Sequence, residues 1–162
     1  MLELILLVAL GGSAVRQTPT SPQSCRGVEA TLRVTPTSFR RGTKPRFAVI
    51  LKNASQKPVR LIDVRDGRRP DLAENYYEII FEQNERALRD LPRAISDPGP
   101  VQASDFFALS PGATIETTLS TTADLSTVPA GSYSAYVRIT FDPFGEQIPK
   151  CRSARTSFTV NK

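Results

Sequence analysis

Two turn signals, Pro111-Gly112 and Pro129-Ala130-Gly131, each open a run in which apolar and polar residues alternate with period two. In the second run Tyr133, Ala135, Val137, Ile139 and Phe141 fall on one face, and Ser134, Tyr136, Arg138 and Thr140 fall on the other. That is the pattern of a half-buried antiparallel strand. The same alternation predicts strands over Val28–Thr35, with Val28, Ala30, Leu32 and Val34 inward, and over Arg46–Asn53, with Phe47, Val49 and Leu51 inward. Further strands are predicted over 59–65, 76–82 (with Tyr77, Ile79 and Phe81 alternating), 105–109, 113–119, 132–141 and 154–160, with a short run around 87–91. Turns fall at 36–42, 53–58, Gln83-Asn84 and Asp142-Pro143-Phe144-Gly145, with a longer loop over 65–71 and an irregular stretch over 92–102. Seven to nine short strands at this spacing predict an all-β fold: an immunoglobulin-like antiparallel β-sandwich with Greek-key connections.

The first residues break the alternation. Positions 2–15 form an apolar run ending in Gly12-Ser13-Ala14, small side chains of the kind a signal peptidase reads. The run is shorter than the ~20 residues that span a bilayer. We read 1–14 as a cleaved signal peptide, although it carries Glu3 and no Lys or Arg before its apolar stretch. Positions 15–27 then form a flexible Thr/Pro/Ser linker, and 28–162 form one sandwich domain without repeats. The expected location is periplasmic or extracellular, with no transmembrane segment once the signal is removed. Pro22-Gln23-Ser24 before Cys25 does not match a lipid-anchored cysteine.

Export changes the reading of the two cysteines, Cys25 and Cys151. One precedes the first strand and the other the last, which suggests a single bridge rather than two unpaired thiols. Closing so long a loop contributes ~4–5 kcal/mol in the chain-entropy model.

Composition removes chemistry more than it adds any. The chain has no His, the commonest general base and transition-metal ligand, and its one Met is the first residue. There is no Gly-x-Ser-x-Gly elbow, phosphate-binding glycine loop or Cys-x-x-Cys pair. We expect no enzyme, no catalytic residues, no cofactor and no metal. Asp63, Asp66 and Asp71 lie close together, as calcium ligands do, but Arg65, Arg68 and Arg69 among them oppose a cation. Asn53-Ala54-Ser55 is a glycosylation sequon by pattern and a hairpin turn by context.

In the segment Val49-Ile-Leu-Lys-Asn-Ala-Ser-Gln-Lys-Pro-Val-Arg-Leu61 a hydrophobic run leads through Asn and a small turn to Pro-Val and a second hydrophobic run. With Leu109-Ser-Pro-Gly112 and Pro129-Ala-Gly-Ser-Tyr133, it resembles bacterial exported immunoglobulin-like domains, a build shared with a bacterial intracellular-proteinase-inhibitor-type family. The resemblance covers about 28–160 and implies fold rather than function. Within this pattern Tyr133 is expected to fill the sandwich edge while its hydroxyl reaches back to the backbone.

Charge is uneven. Positions 33–69 carry eleven Lys/Arg against two Asp/Glu, and 70–162 carry eight against twelve. Either basic early strands pair with acidic later ones, or Arg40, Arg41, Lys44, Arg65, Arg68 and Arg69 gather at one end as a weak anion-binding surface. The expected function is a non-enzymatic binding or structural module of the cell envelope or extracellular space. Its partner would be another protein or an envelope component and not nucleic acid, and it would be a monomer or weak oligomer. The alternatives are a proteinase inhibitor presenting an exposed loop, 65–71 or 92–102, and a weak anion- or glycan-binding module.

Overall fold

A computed structural model of the chain describes residues 27–65, 70–88, 91, 99–119, 124–140 and 151–162. Within these the protein is all-β, with eleven strands, one seven-residue helix and two 3-10 turns. The strands are β1 Val28–Thr35, β2 Ser38–Arg40, β3 Arg46–Asn53, β4 Val59–Ile62, β5 Tyr77–Gln83, β6 Arg86–Ala87, β7 Phe106–Leu109, β8 Thr114–Leu119, β9 Gly131–Ile139, β10 Cys151–Arg152 and β11 Thr156–Asn161. Helix α1 spans Pro70–Tyr76.

One sheet has the order β1-β3-β8, and a larger one β2-β11-β9-β5-β6 with β10 also on β9. The inward residues of both belong to one hydrophobic core, as period-two burial requires. Phe47 of the first sheet meets Phe81 of the second edge-on, with ring centroids 5.4 Å apart. Phe81 then meets Phe158 at 6.2 Å, and Phe158 stacks on Phe39 at 5.6 Å and on Tyr133 at 5.7 Å. At the sheet edge the Thr156 hydroxyl donates to the Leu32 carbonyl of β1. The inward residues expected for β1, β3, β5 and β9 are buried wherever they are described; Phe141 and the tip 142–145 lie outside the described residues.

Several expectations need correction. The strand predicted over 59–65 ends at Ile62, because the Asp63 carboxylate accepts from the Arg65 backbone N–H at 3.2 Å and closes a local turn. β4 then pairs only with β7, in a two-stranded sheet of its own. The end of the predicted loop 65–71 is already helical: Pro70, with its fixed φ, opens α1. Leu72, Ala73 and Tyr76 of that helix are buried at helical spacing. The turn after Pro36 contains β2, which runs parallel to β11, so the fold is not purely antiparallel.

The final strand is interrupted. Arg152 pairs with Arg138 and Thr156 with Ala135, so three residues, 153–155, oppose two, 136–137. At this bulge Ser153 stands in for the missing ladder contact: its Oγ accepts from Val137 N at 3.0 Å and donates to Ala154 O at 2.8 Å. Cys151, just before it, is buried and disulfide-bonded. Cys25, the chain's other cysteine, lies outside the described residues.

A candidate binding groove beside Tyr133

Where β5 ends, Asn84 and Glu85 take positive φ angles of 50° and 63° and return the chain as β6. The Leu88 N–H then bonds to the Phe81 carbonyl at 2.8 Å. This hairpin raises Ala87 and Leu88 as one wall of a groove, with Leu91 beyond them. The facing wall is the 3-10 turn Leu125–Thr127 and the extended Val128-Pro129 that follows. Asp124 caps that turn, accepting from Ser126 N at 2.9 Å, while its carbonyl accepts from the Thr127 hydroxyl at 3.0 Å. Tyr133 and Gln83 complete a groove of about 400 Å³.

Tyr133 behaves as expected from the sequence: its ring is buried on Phe158 and its hydroxyl donates to the Pro129 carbonyl at 2.6 Å. Gly131 keeps this corner open. A Cβ there would stand 3.2 Å from the Gln83 side-chain nitrogen, so the amide lies along bare backbone.

Arg41 follows β2, with β11 between that strand and β9. The Arg41 N–H bonds to the Asn161 carbonyl at 3.0 Å, one residue beyond Val160, whose partner in β9 is Gly131. Burial pushes the Tyr133 hydroxyl above its ordinary value, while the Arg41 charge and the Gln83 amide pull it down. Across the groove, Ser126 holds the exposed Asp124 carboxyl below the usual range, and the Lys44 charge adds to that.

Of the six basic residues singled out from the sequence, Arg40, at the end of β2, and Arg41 and Lys44, in the turn before β3, are exposed. Arg65 does not join them. Its guanidinium pairs with Asp63 at 2.7 Å and lies 4.2 Å from the centre of the Phe107 ring. The Thr117 hydroxyl donates to the carbonyl of neighbouring Val64, and Thr117 pairs with Val49, so Arg65 is held beside the middle of β3. Arg68, Arg69, Asp66 and most of 92–102 lie outside the described residues, as does the Asp71 side chain. Asp63, the remaining member of the acidic trio, is engaged by Arg65.

Of the two readings of the charge pattern, the pairing of basic early strands with acidic later ones is present in part. Arg33 of β1 pairs with Glu116 of β8 at 3.0 Å, basic early strand to acidic late strand. On the other sheet, late Arg155 pairs with Glu82 at 2.6 Å and Arg138 pairs with Glu78.

Gln83, Leu88 and Val128 were not singled out from the sequence. Their local signals, the Gln83-Asn84 turn and the Pro129-to-Tyr133 motif, were legible. That the two turns meet follows from the pairing of Glu82 with Ser134, which no local pattern encodes. No protein-family model matches the chain, and no curated protein matches it.

Proposed function

We propose that this chain is an exported, non-enzymatic β-sandwich of immunoglobulin-like, Greek-key build, acting as a binding module of the cell envelope or extracellular space. The observation that carries this reading is where the buried polar side chains go. Asn53, Asp63, Glu82, Thr117 and Ser153 are buried polar side chains, and each is bonded within the fold. Among the described residues, the groove between Leu88 and Val128 is a concave surface that faces solvent. Cys151 supports export, since bridged thiols belong to oxidising compartments; we pair it with Cys25.

Intact mass with and without reductant, on protein from the native host, tests the compartment. A full-length chain with two alkylatable thiols in the cytoplasm overturns it. The exposure of Arg40, Arg41 and Lys44 favours a second, weaker reading as an anion-binding module. Retention on a heparin resin that fades as salt nears physiological strength, where screening acts over ~8 Å, tests that reading.

A further inference from the structure

We propose that the outer face of the larger sheet, around the pair Ile80 and Tyr136, joins a second copy of this chain in a weak two-fold dimer. Such a dimer is separate from the binding reading above and does not rest on it. On that face β5 and β9 carry three cross-strand pairs in register: Glu78 with Arg138, Ile80 with Tyr136 and Glu82 with Ser134. These are the outward positions, since Ile79, Phe81, Ala135 and Val137 between them belong to the core. The Arg138 guanidinium donates to the Glu78 carboxylate, and both side chains remain partly exposed, at 33% and 28%. Arg155 donates to Glu82 at 2.6 Å, and its guanidinium stands 5.9 Å from the centre of the Tyr136 ring. Ile80 and Tyr136 are half-buried, an apolar pair set between two ion pairs.

The arrangement in columns selects the partner. The carboxylates stand on β5, and the guanidiniums stand on β9 and just before β11. A two-fold axis running along the strands, between β5 and β9, lays each column over the opposite column of the second copy. Glu78 of one copy then faces Arg138 of the other, and Arg138 faces Glu78. Ile80 faces Tyr136 twice, and each Glu82 meets the Ser134 hydroxyl beside Arg155. In the outer row every guanidinium has one carboxylate in its own chain and another across the interface, an alternating square of four charges. A different protein would need its own pair of matching columns, whereas this chain already carries both. Strands about 4.8 Å apart with about 3.3 Å per residue give a face of roughly 20 by 20 Å, so two copies cover on the order of 800 Å². That lies below the ~1,200 Å² of stable interfaces, so the dimer is weak and exchanges freely. The formal net charge of +5 also opposes it.

Sedimentation equilibrium and NMR on dilution, with the full oxidised chain at physiological salt, test the dimer. A dissociation constant between about 0.1 and 1 mM is expected, and dilution should shift the Ile80 methyls and the Tyr136 ring. Glu78→Arg and Arg138→Glu each set like charges along the outer row and should weaken self-association about tenfold. Mixed together, the two variants should associate about tenfold more tightly than either does alone, because one presents only guanidiniums in that row and the other only carboxylates. A role confined to the fold gives no such recovery, since mixing mends nothing inside either chain. Wild-type protein that stays monomeric to about 1 mM, dilution shifts that miss Ile80 and Tyr136, or a mixture no tighter than its parts overturns the proposal. If either variant loses its fold in a thermal melt, the wild-type dilution shifts alone decide.

Discussion

The Asn53 side chain donates to the Leu109 carbonyl at 2.8 Å and so joins two turns that are fifty-six positions apart in the chain. It donates equally to the Lys57 carbonyl at 2.8 Å, while its oxygen accepts from the Ser55 N–H and hydroxyl at 2.9 and 2.7 Å. Its backbone takes part as well: Gly112 N–H bonds to the Asn53 carbonyl and Asn53 N–H to the Ala113 carbonyl. One buried amide thereby locks the turn after β3 against the turn before β8.

Asn53→Ala should destabilise the protein by about 2–4 kcal/mol, since two carbonyls lose their donor in a dry site. Asn53→Asp should cost at least as much, because it sets a carboxylate oxygen against those carbonyls. Denaturant unfolding checks both. The same burial shields the sequon: protein folded in a glycosylating cell should show no glycan mass at Asn53, and a glycan on the folded form would contradict the placement.

Gly27 and Gly42 separate steric from conformational cost. Both have left-handed φ angles, +80° and +84°. A Cβ on Gly27 would come within 2.4 Å of the Ser55 Cβ, whereas one on Gly42 meets nothing within 4 Å. Gly42→Ala should therefore cost only the backbone term, about 1–2 kcal/mol, and Gly27→Ala about 2–4 kcal/mol. Equal losses in thermal melts would refute the contact.

Phe81, fully buried between Phe47 and Phe158, ties the sheets together. Phe81→Ala should lose about 3–5 kcal/mol. Phe107→Ala, at a partly exposed ring covered by Arg65, should lose less than about 2 kcal/mol. Urea unfolding midpoints rank the two.

Tyr77 makes the fold sensitive to alkali. Burial above all, then the negative charge of Asp63, pushes its hydroxyl far above the ordinary tyrosine value; that hydroxyl donates to the Ile62 carbonyl at 3.1 Å. A raised folded value means the contribution is fully present below the unfolded value of about 10 and is lost as pH rises beyond it, because the unfolded chain releases the proton first. Stability measured from pH 9 to 12 should fall. Tyr77→Phe should be less stable at neutral pH by about 1 kcal/mol and flatter in that window. An unchanged slope would show that Tyr77 is not the titrating group.

The all-β class, the inward faces of β1, β3, β5 and β9, and the bond from the Tyr133 hydroxyl back to the backbone all followed from the sequence alone. Alternation with period two and the turn chemistry of Pro and Gly act over a few residues, so a local reading captures them. Tertiary structure decided the rest. Ser38–Arg40 is a strand because β11 passes alongside it, and Glu82 sits buried on an outward position because Arg155, in the bulge, covers it. Arg65 belongs to Asp63 and Phe107 rather than to the basic turn because β4 stops early and pairs with β7. The groove exists because the end of β5 lies beside the start of β9. Each of these depends on which distant segments share a sheet edge, and strand pairing between distant segments leaves no local trace in the chain.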